Sequence, residues 1–165
     1  MTVPRSELRA QSEVPSIDLA RVIAGAALEK KATDIRIMDM RKLTTMTDYF
    51  IVATISTDVH SRAVEGAISE QARERYNARP WHVEGGEGGR TWVLMDYVDV
   101  VVHLFEAEAR EFYSLERLWG DAPTEEVADD EGSAAEAADD DGTAAEAVDD
   151  DGTVADTADP ADPTS

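Results

Sequence analysis

The residues best suited to chemistry are Asp96 and Asp99, in the run Trp92-Val93-Leu94-Met95-Asp96-Tyr97-Val98-Asp99. Paired carboxylates serve phosphoryl or nucleotidyl transfer by holding two metal ions about 4 Å apart. On a strand, side chains that converge sit at i and i+2 and share a face. A spacing of three across a turn aims this pair apart, and capping of the turn is the simpler role. His60, His82 and His103 fall on separate segments without the spacing of a metal site. No cysteine is present to add a thiolate. His103 lies among valines and reads as a packed histidine bonded to a neighbour. The glycine run Gly85-Gly86-Glu87-Gly88-Gly89 leads into a strand and carries an acid, whereas phosphate loops open a helix. It reads as a hairpin tip. P-loop, G-x-S-x-G and Cys–His signatures are absent from the sequence, so it is poorly equipped as an enzyme.

The elements that would position these residues follow from periodicity. Val98 to Phe105 is apolar and β-branched enough for a strand covered on both faces, and therefore central. Upstream, a helix is expected over 17–31, with Ser16 as its cap and Ala20, Ile23, Ala24 and Ala27 on its inner face. Strands follow at 34–40, where Ile35 and Ile37 oppose Met38 and Met40, and at 49–55. A second helix is expected over 59–76 with Val59, Ala63, Ala67 and Ile68 buried, ended by Asn77 and Pro80. Short strands at 81–84 and 92–96 flank the glycine tip. Phe112, Leu115 and Trp119 share a helical face that would close the core. The pattern describes an α/β fold, a small mixed sheet flanked by helices.

Charge divides the 165-residue chain. Of its 36 acidic residues 17 lie after Gly120, with none of the 15 basic ones, which leaves 19 acids against 15 bases in residues 1–120. Three blocks of ten, at 129–138, 139–148 and 149–158, repeat an Asp-rich pattern without aromatics. Such a tail cannot bury enough surface to offset its ordering entropy, and its spacing is not that of a calcium loop. The expected organisation is a flexible leader over 1–15, a folded domain over 16–121 and a disordered acidic tail over 122–165. The acidic balance argues against phosphate-backbone binding. No secretion signal or membrane span is expected, which suggests a cytoplasmic protein. Trp92, beside the glycine tip, is expected to be partly exposed, the composition of an interface anchor.

Trp92 to Asp96, Asp99 to Phe105 and Arg110 to Trp119 together resemble the signature of the ribosomal silencing factor (Iojap-like) family. Asp34 to Met40, Thr47 to Thr54, Ser56, His60 to Arg62 and Glu84-Gly85 match it in order and spacing. The resemblance implies a nucleotidyltransferase-like topology without the catalytic motif, no cofactor and no catalysis. It implies binding to the large ribosomal subunit through ribosomal protein fourteen, which blocks subunit joining and represses translation, with a homodimer as a further implication. The partner surface it implies comprises Trp92, Asp96, Asp99, His103, Arg110, Tyr113 and Glu116. The family carries glycine where Ile55 and Val98 stand. Valine does not take positive φ without strain, so the turn at Val98 is expected to be reshaped. Two other readings stand beside this one: a nucleotidyltransferase-like enzyme using Asp96 and Asp99, and a binding module with a non-ribosomal partner.

Overall fold

Seven consecutive residues, Val100–Glu106, form a strand whose first six positions are buried. Alternate side chains face opposite ways, so burial of both sets requires cover on both faces. The structure, a computed structural model, describes residues 3–11, 13–85 and 90–128. The acidic repeats and the glycine tip at 86–89 lie outside the described residues.

The elements in chain order are α1 (Arg5–Gln11), α2 (Ser16–Glu29), β1 (Thr33–Asp39), β2 (Tyr49–Ile55), α3 (Asp58–Tyr76) and β3 (His82–Glu84). They continue with β4 (Trp92–Asp96), β5 (Val100–Glu106), α4 (Ala107–Tyr113), α5 (Leu115–Leu118) and β6 (Thr124–Val127). The six strands form one sheet in the order β3-β4-β5-β2-β1-β6. Only the β2–β5 pair is parallel, the others being antiparallel. The sheet is therefore mixed, as expected, with β5 inside it.

Two clusters make the core. Ile23, Ala24 and Ala27 of α2 and Val64, Ile68 and Ala72 of α3 pack on Ile35, Ile37, Ile51, Val93, Val102 and Leu104. On the other face Met38, Met40, Val52 and Phe105 pack with Leu115 and Ala122. The expected split of Ile35 and Ile37 from Met38 and Met40 is present, one pair in each cluster.

Several expectations are corrected. Residues 5–11 of the expected leader are helical, and β6 carries the sheet beyond residue 121. Pro15, not Ser16, sits at the N-cap of α2, and the Ser16 hydroxyl donates to Asp48 Oδ2 at 2.7 Å. In α3 the inner face is Ser61, Val64, Ala67, Ile68 and Ala72, while Val59 is exposed. Thr57 caps that helix by accepting from the His60 backbone N–H at 3.0 Å. The terminal helix breaks at Ser114, whose φ of 47° is left-handed. That break turns Leu115 inward but leaves Phe112 79 % exposed.

Candidate functional site

On the sheet face opposite α2 and α3, register sets the neighbours. Trp92 lies beside Phe105, Leu94 beside His103, and Asp96 beside Val101. On the other flank of β5, Val101, His103 and Phe105 meet Phe50, Val52 and Thr54. Among the described residues α4 packs on this face through Tyr113 against Trp92, and the end of α5 through Trp119 against Phe50, while Trp92, Leu94 and Phe50 stay half-buried.

Aromatic contact and one hydrogen bond fix Trp92. Its ring centroid lies 5.0 Å from Phe105 and 4.6 Å from Tyr113. Its indole N–H donates to His103 Nδ1 at 3.2 Å. That bond places the imidazole proton on Nε2, which has no hydrogen-bond partner among the described residues. The Phe50 ring stands edge-on to the imidazole at 4.7 Å. Burial pushes the His103 pKa down to about 4, against a small opposing pull from Asp96. His103 is therefore neutral at physiological pH and works as the acceptor that aims Trp92. Beside this pair the rim is exposed: Tyr113, Phe112 and Leu118 all face outward.

Arg110 and Glu116 form the bracket that holds α4 and α5 to the sheet. Arg110 is buried and donates to Glu116 from Nε at 3.1 Å and Nη2 at 2.7 Å. Its Nη1 reaches the Asp34 carbonyl and Thr54 Oγ1, each at 2.7 Å. Asp34 sits at the β1 irregularity with φ 50°. Arg36 adds a second cation to Glu116 at 3.3 Å. Such planar bidentate geometry suits arginine, and it directs Arg110 into the fold.

Asp96 ends β4 and Asp99 lies in the turn that follows, at the far corner of the sheet. The Asp99 backbone N–H donates to the Tyr97 carbonyl at 2.9 Å, a γ-turn centred on Val98. Val98 has φ 76°, the strained hand of that turn. Val98 thus takes the positive φ itself, and the turn around it is braced. Asp96 Oδ1 accepts from the Val98 N–H at 2.7 Å, and Arg5 donates to the Val98 carbonyl at 2.7 Å. Arg5 also grips the Asp96 carboxylate at 3.0 and 3.2 Å. Arg9, one turn on, reaches Asp99 at 3.2 Å and also Asp48. Each carboxylate of the candidate metal pair is thus engaged by a different arginine. Among the described residues there is no group of three His, Cys, Asp or Glu that could hold a metal ion.

The candidate residues therefore fall into three groups. Trp92, His103 and Tyr113 come together, Arg110 and Glu116 lock a neighbouring helix pair, and Asp96 and Asp99 mark a separate corner. Arg5, Arg9 and Asp48 were missed. Their signal was Pro4 followed by Arg5 and Arg9 at helical spacing among good helix formers. No helix among the described residues is long and apolar enough to cross a membrane.

Comparison with known proteins adds an independent line. A family model described as ribosomal silencing factor during starvation matches residues 13–153. The chain is 38% identical to the ribosomal silencing factor RsfS of Bacillus subtilis over 105 residues, 64% of this chain and 87% of the relative. It is 31% identical to the chloroplastic protein Iojap of Zea mays over 119 residues, 72% of this chain and 51% of that longer protein. A crystal structure of a Chromobacterium violaceum protein superposes with a TM-score of 0.61 at 29% identity, covering 65% of this chain and 88% of that one. One from Bacillus halodurans gives 0.57 at 28%, covering 67% and 99%. The match begins just before α2 and runs past β6, through both core clusters and the open face, and on that ground the chain belongs to the ribosomal silencing factor family.

Proposed function

We propose that this protein represses translation in the cytoplasm by docking on the large ribosomal subunit through ribosomal protein fourteen and excluding the small subunit. The observation that carries the reading is the open sheet face, where Trp92 and Tyr113 are fixed at the edge of an exposed apolar rim. Aromatics held in place by a neighbour suit the centre of a protein interface, because little freedom remains to be lost on binding. Family membership supplies the ribosomal context for that surface. Trp92 and Tyr113 are the anchors, with Phe112 and Leu118 extending the apolar contact. His103, Arg110 and Glu116 act behind them by fixing their positions, and Asp96 with Asp99 gives a charged corner. The mechanism is exclusion by occupancy and needs no chemical step.

Sucrose-gradient fractionation of cell extract tests the reading. The expected result is that the protein travels with free large subunits and is absent from joined ribosomes. Migration at the top of the gradient, or equal occupancy of free and joined subunits, would overturn it.

A further inference from the structure

The acidic corner is already occupied, and its occupant comes from the chain itself. Arg5 and Arg9 stand one helical turn apart on α1 and project into a notch formed by Asp48, Asp96 and Asp99. The Arg5 guanidinium also takes the backbone carbonyls of Met46 and Val98. Carboxylates and carbonyls converging on two guanidinium groups make a receptor for paired cations. We propose that α1 is an internal competitor: its two arginines hold the place of cationic side chains on the docking partner, and α1 lifts from the notch when the protein binds.

The way α1 is attached fits a strap better than a structural element. Seven residues are too few for a helix stable by itself in water. A groove of about 710 Å³ opens beside Leu8 of α1, lined also by Val14, Leu19, Tyr76, Trp81 and Tyr97, so packing between α1 and the domain is incomplete there. Arg5, Arg9 and Asp48 are each partly exposed. Ion pairs at such positions contribute little each and weaken with salt. A partner offering cations to the same acids needs only a small differential affinity to displace the strap. While α1 is seated it covers two of the residues assigned to the partner surface, Asp96 and Asp99. Lifting it uncovers three carboxylates together, whose mutual repulsion a cationic partner relieves.

This inference rests on the docking reading, and the test separates the two. Purified large ribosomal subunits are titrated with the full chain and with the full chain carrying Arg5→Ala and Arg9→Ala, both checked for an unchanged fold by circular dichroism. The expected result is that the double variant binds tighter by about fivefold or more, the range of an ordinary coupling between sites. Added salt should narrow the gap by loosening the native strap. Equal or weaker binding by a folded double variant overturns the strap and leaves docking intact. Absence of binding by either chain overturns docking itself, and the strap with it. Amide hydrogen exchange on the unmodified chain gives a second readout should the double variant misfold. Faster exchange in α1 upon subunit binding supports displacement, and slower or unchanged exchange overturns it.

Discussion

The sheet face under α2 and α3 is sealed by Ile23, Ile51, Ile68 and Val102, all fully buried, whereas the opposite face carries Trp92, His103, Arg110 and Glu116 and runs out into exposed Phe112 and Leu118. The first face is aliphatic and has no direction beyond shape. The second is positioned by bonds with geometry: an indole N–H on an imidazole, a bidentate guanidinium, a braced γ-turn. A face that only has to stay dry can be built by volume and pattern. One that must present particular side chains at a fixed angle needs directional contacts behind them. Incomplete burial on the second face leaves Phe112 and Leu118 in contact with solvent.

The comparison makes five measurable predictions. Ile51→Ala, in the sealed face, should lower unfolding free energy by about 4 kcal/mol through lost burial and a residual cavity. Denaturant titration reads this, and a loss below about 1 kcal/mol would mean that face is not the stability centre. The second concerns acid. His103 is neutral when folded, its pKa held down to about 4, while the unfolded value is the ordinary 6.5. Above pH 6.5 neither state holds the proton. As pH falls below 6.5 the unfolded chain takes it up and the folded chain does not, so stability drops until the pH passes about 4. The full loss approaches about 3 kcal/mol. Replacing His103 with Gln, which keeps an acceptor for Trp92, should remove this component from the pH profile of unfolding.

Arg110→Ala should destabilise by about 2.5 kcal/mol, because Glu116 and the Asp34 carbonyl lose a buried donor. Arg110→Lys should recover only part of that, since the ammonium cannot reproduce the fork. Loss equal to that of an exposed arginine would show that the bracket is dispensable. Trp92→Ala should weaken large-subunit binding by about 2 kcal/mol in co-sedimentation, as expected of an anchored aromatic at an interface. Unchanged co-sedimentation would remove Trp92 from the docking surface. The smallest effect belongs to the strained corner. Val98→Gly should cost less than about 1 kcal/mol, because relief of positive φ offsets the lost side chain. Val102→Gly, fully buried and in an extended strand, should cost several times more by thermal unfolding.

Much of the fold was legible because the sheet obeys simple alternation. Ile35 and Ile37 against Met38 and Met40, and the continuous apolar run of β5, announced a two-sided sheet with that strand inside it. The misreadings share a physical cause. The inner face of α3 differs from the expectation because Ser61 and Ala72 are small enough to be buried, while Val59, in the first turn, is exposed. Phe112 was assigned to the core on the assumption of one unbroken helix. A left-handed Ser114 ended that helix, and serine carries no sequence signal for such a break as strong as glycine would. β6 went unseen because Thr124–Val127 has three exposed positions and is a strand only by virtue of pairing with β1.

Of the candidate site, the residue types were readable and their division of labour was not. Hydrophobic periodicity, the want of catalytic spacing and the aromatic content near Trp92 are properties of the chain taken a few residues at a time, and the sequence by itself determined them. Which arginine faces inward, which carboxylates α1 covers and whether Val98 bends or resists depend on groups separated by tens of residues. Arg110 meets Asp34 and Thr54, and Arg5 meets Asp96, only because the sheet has brought them together. Directional polar contacts over that separation have no period to read. Only the tertiary structure decided them.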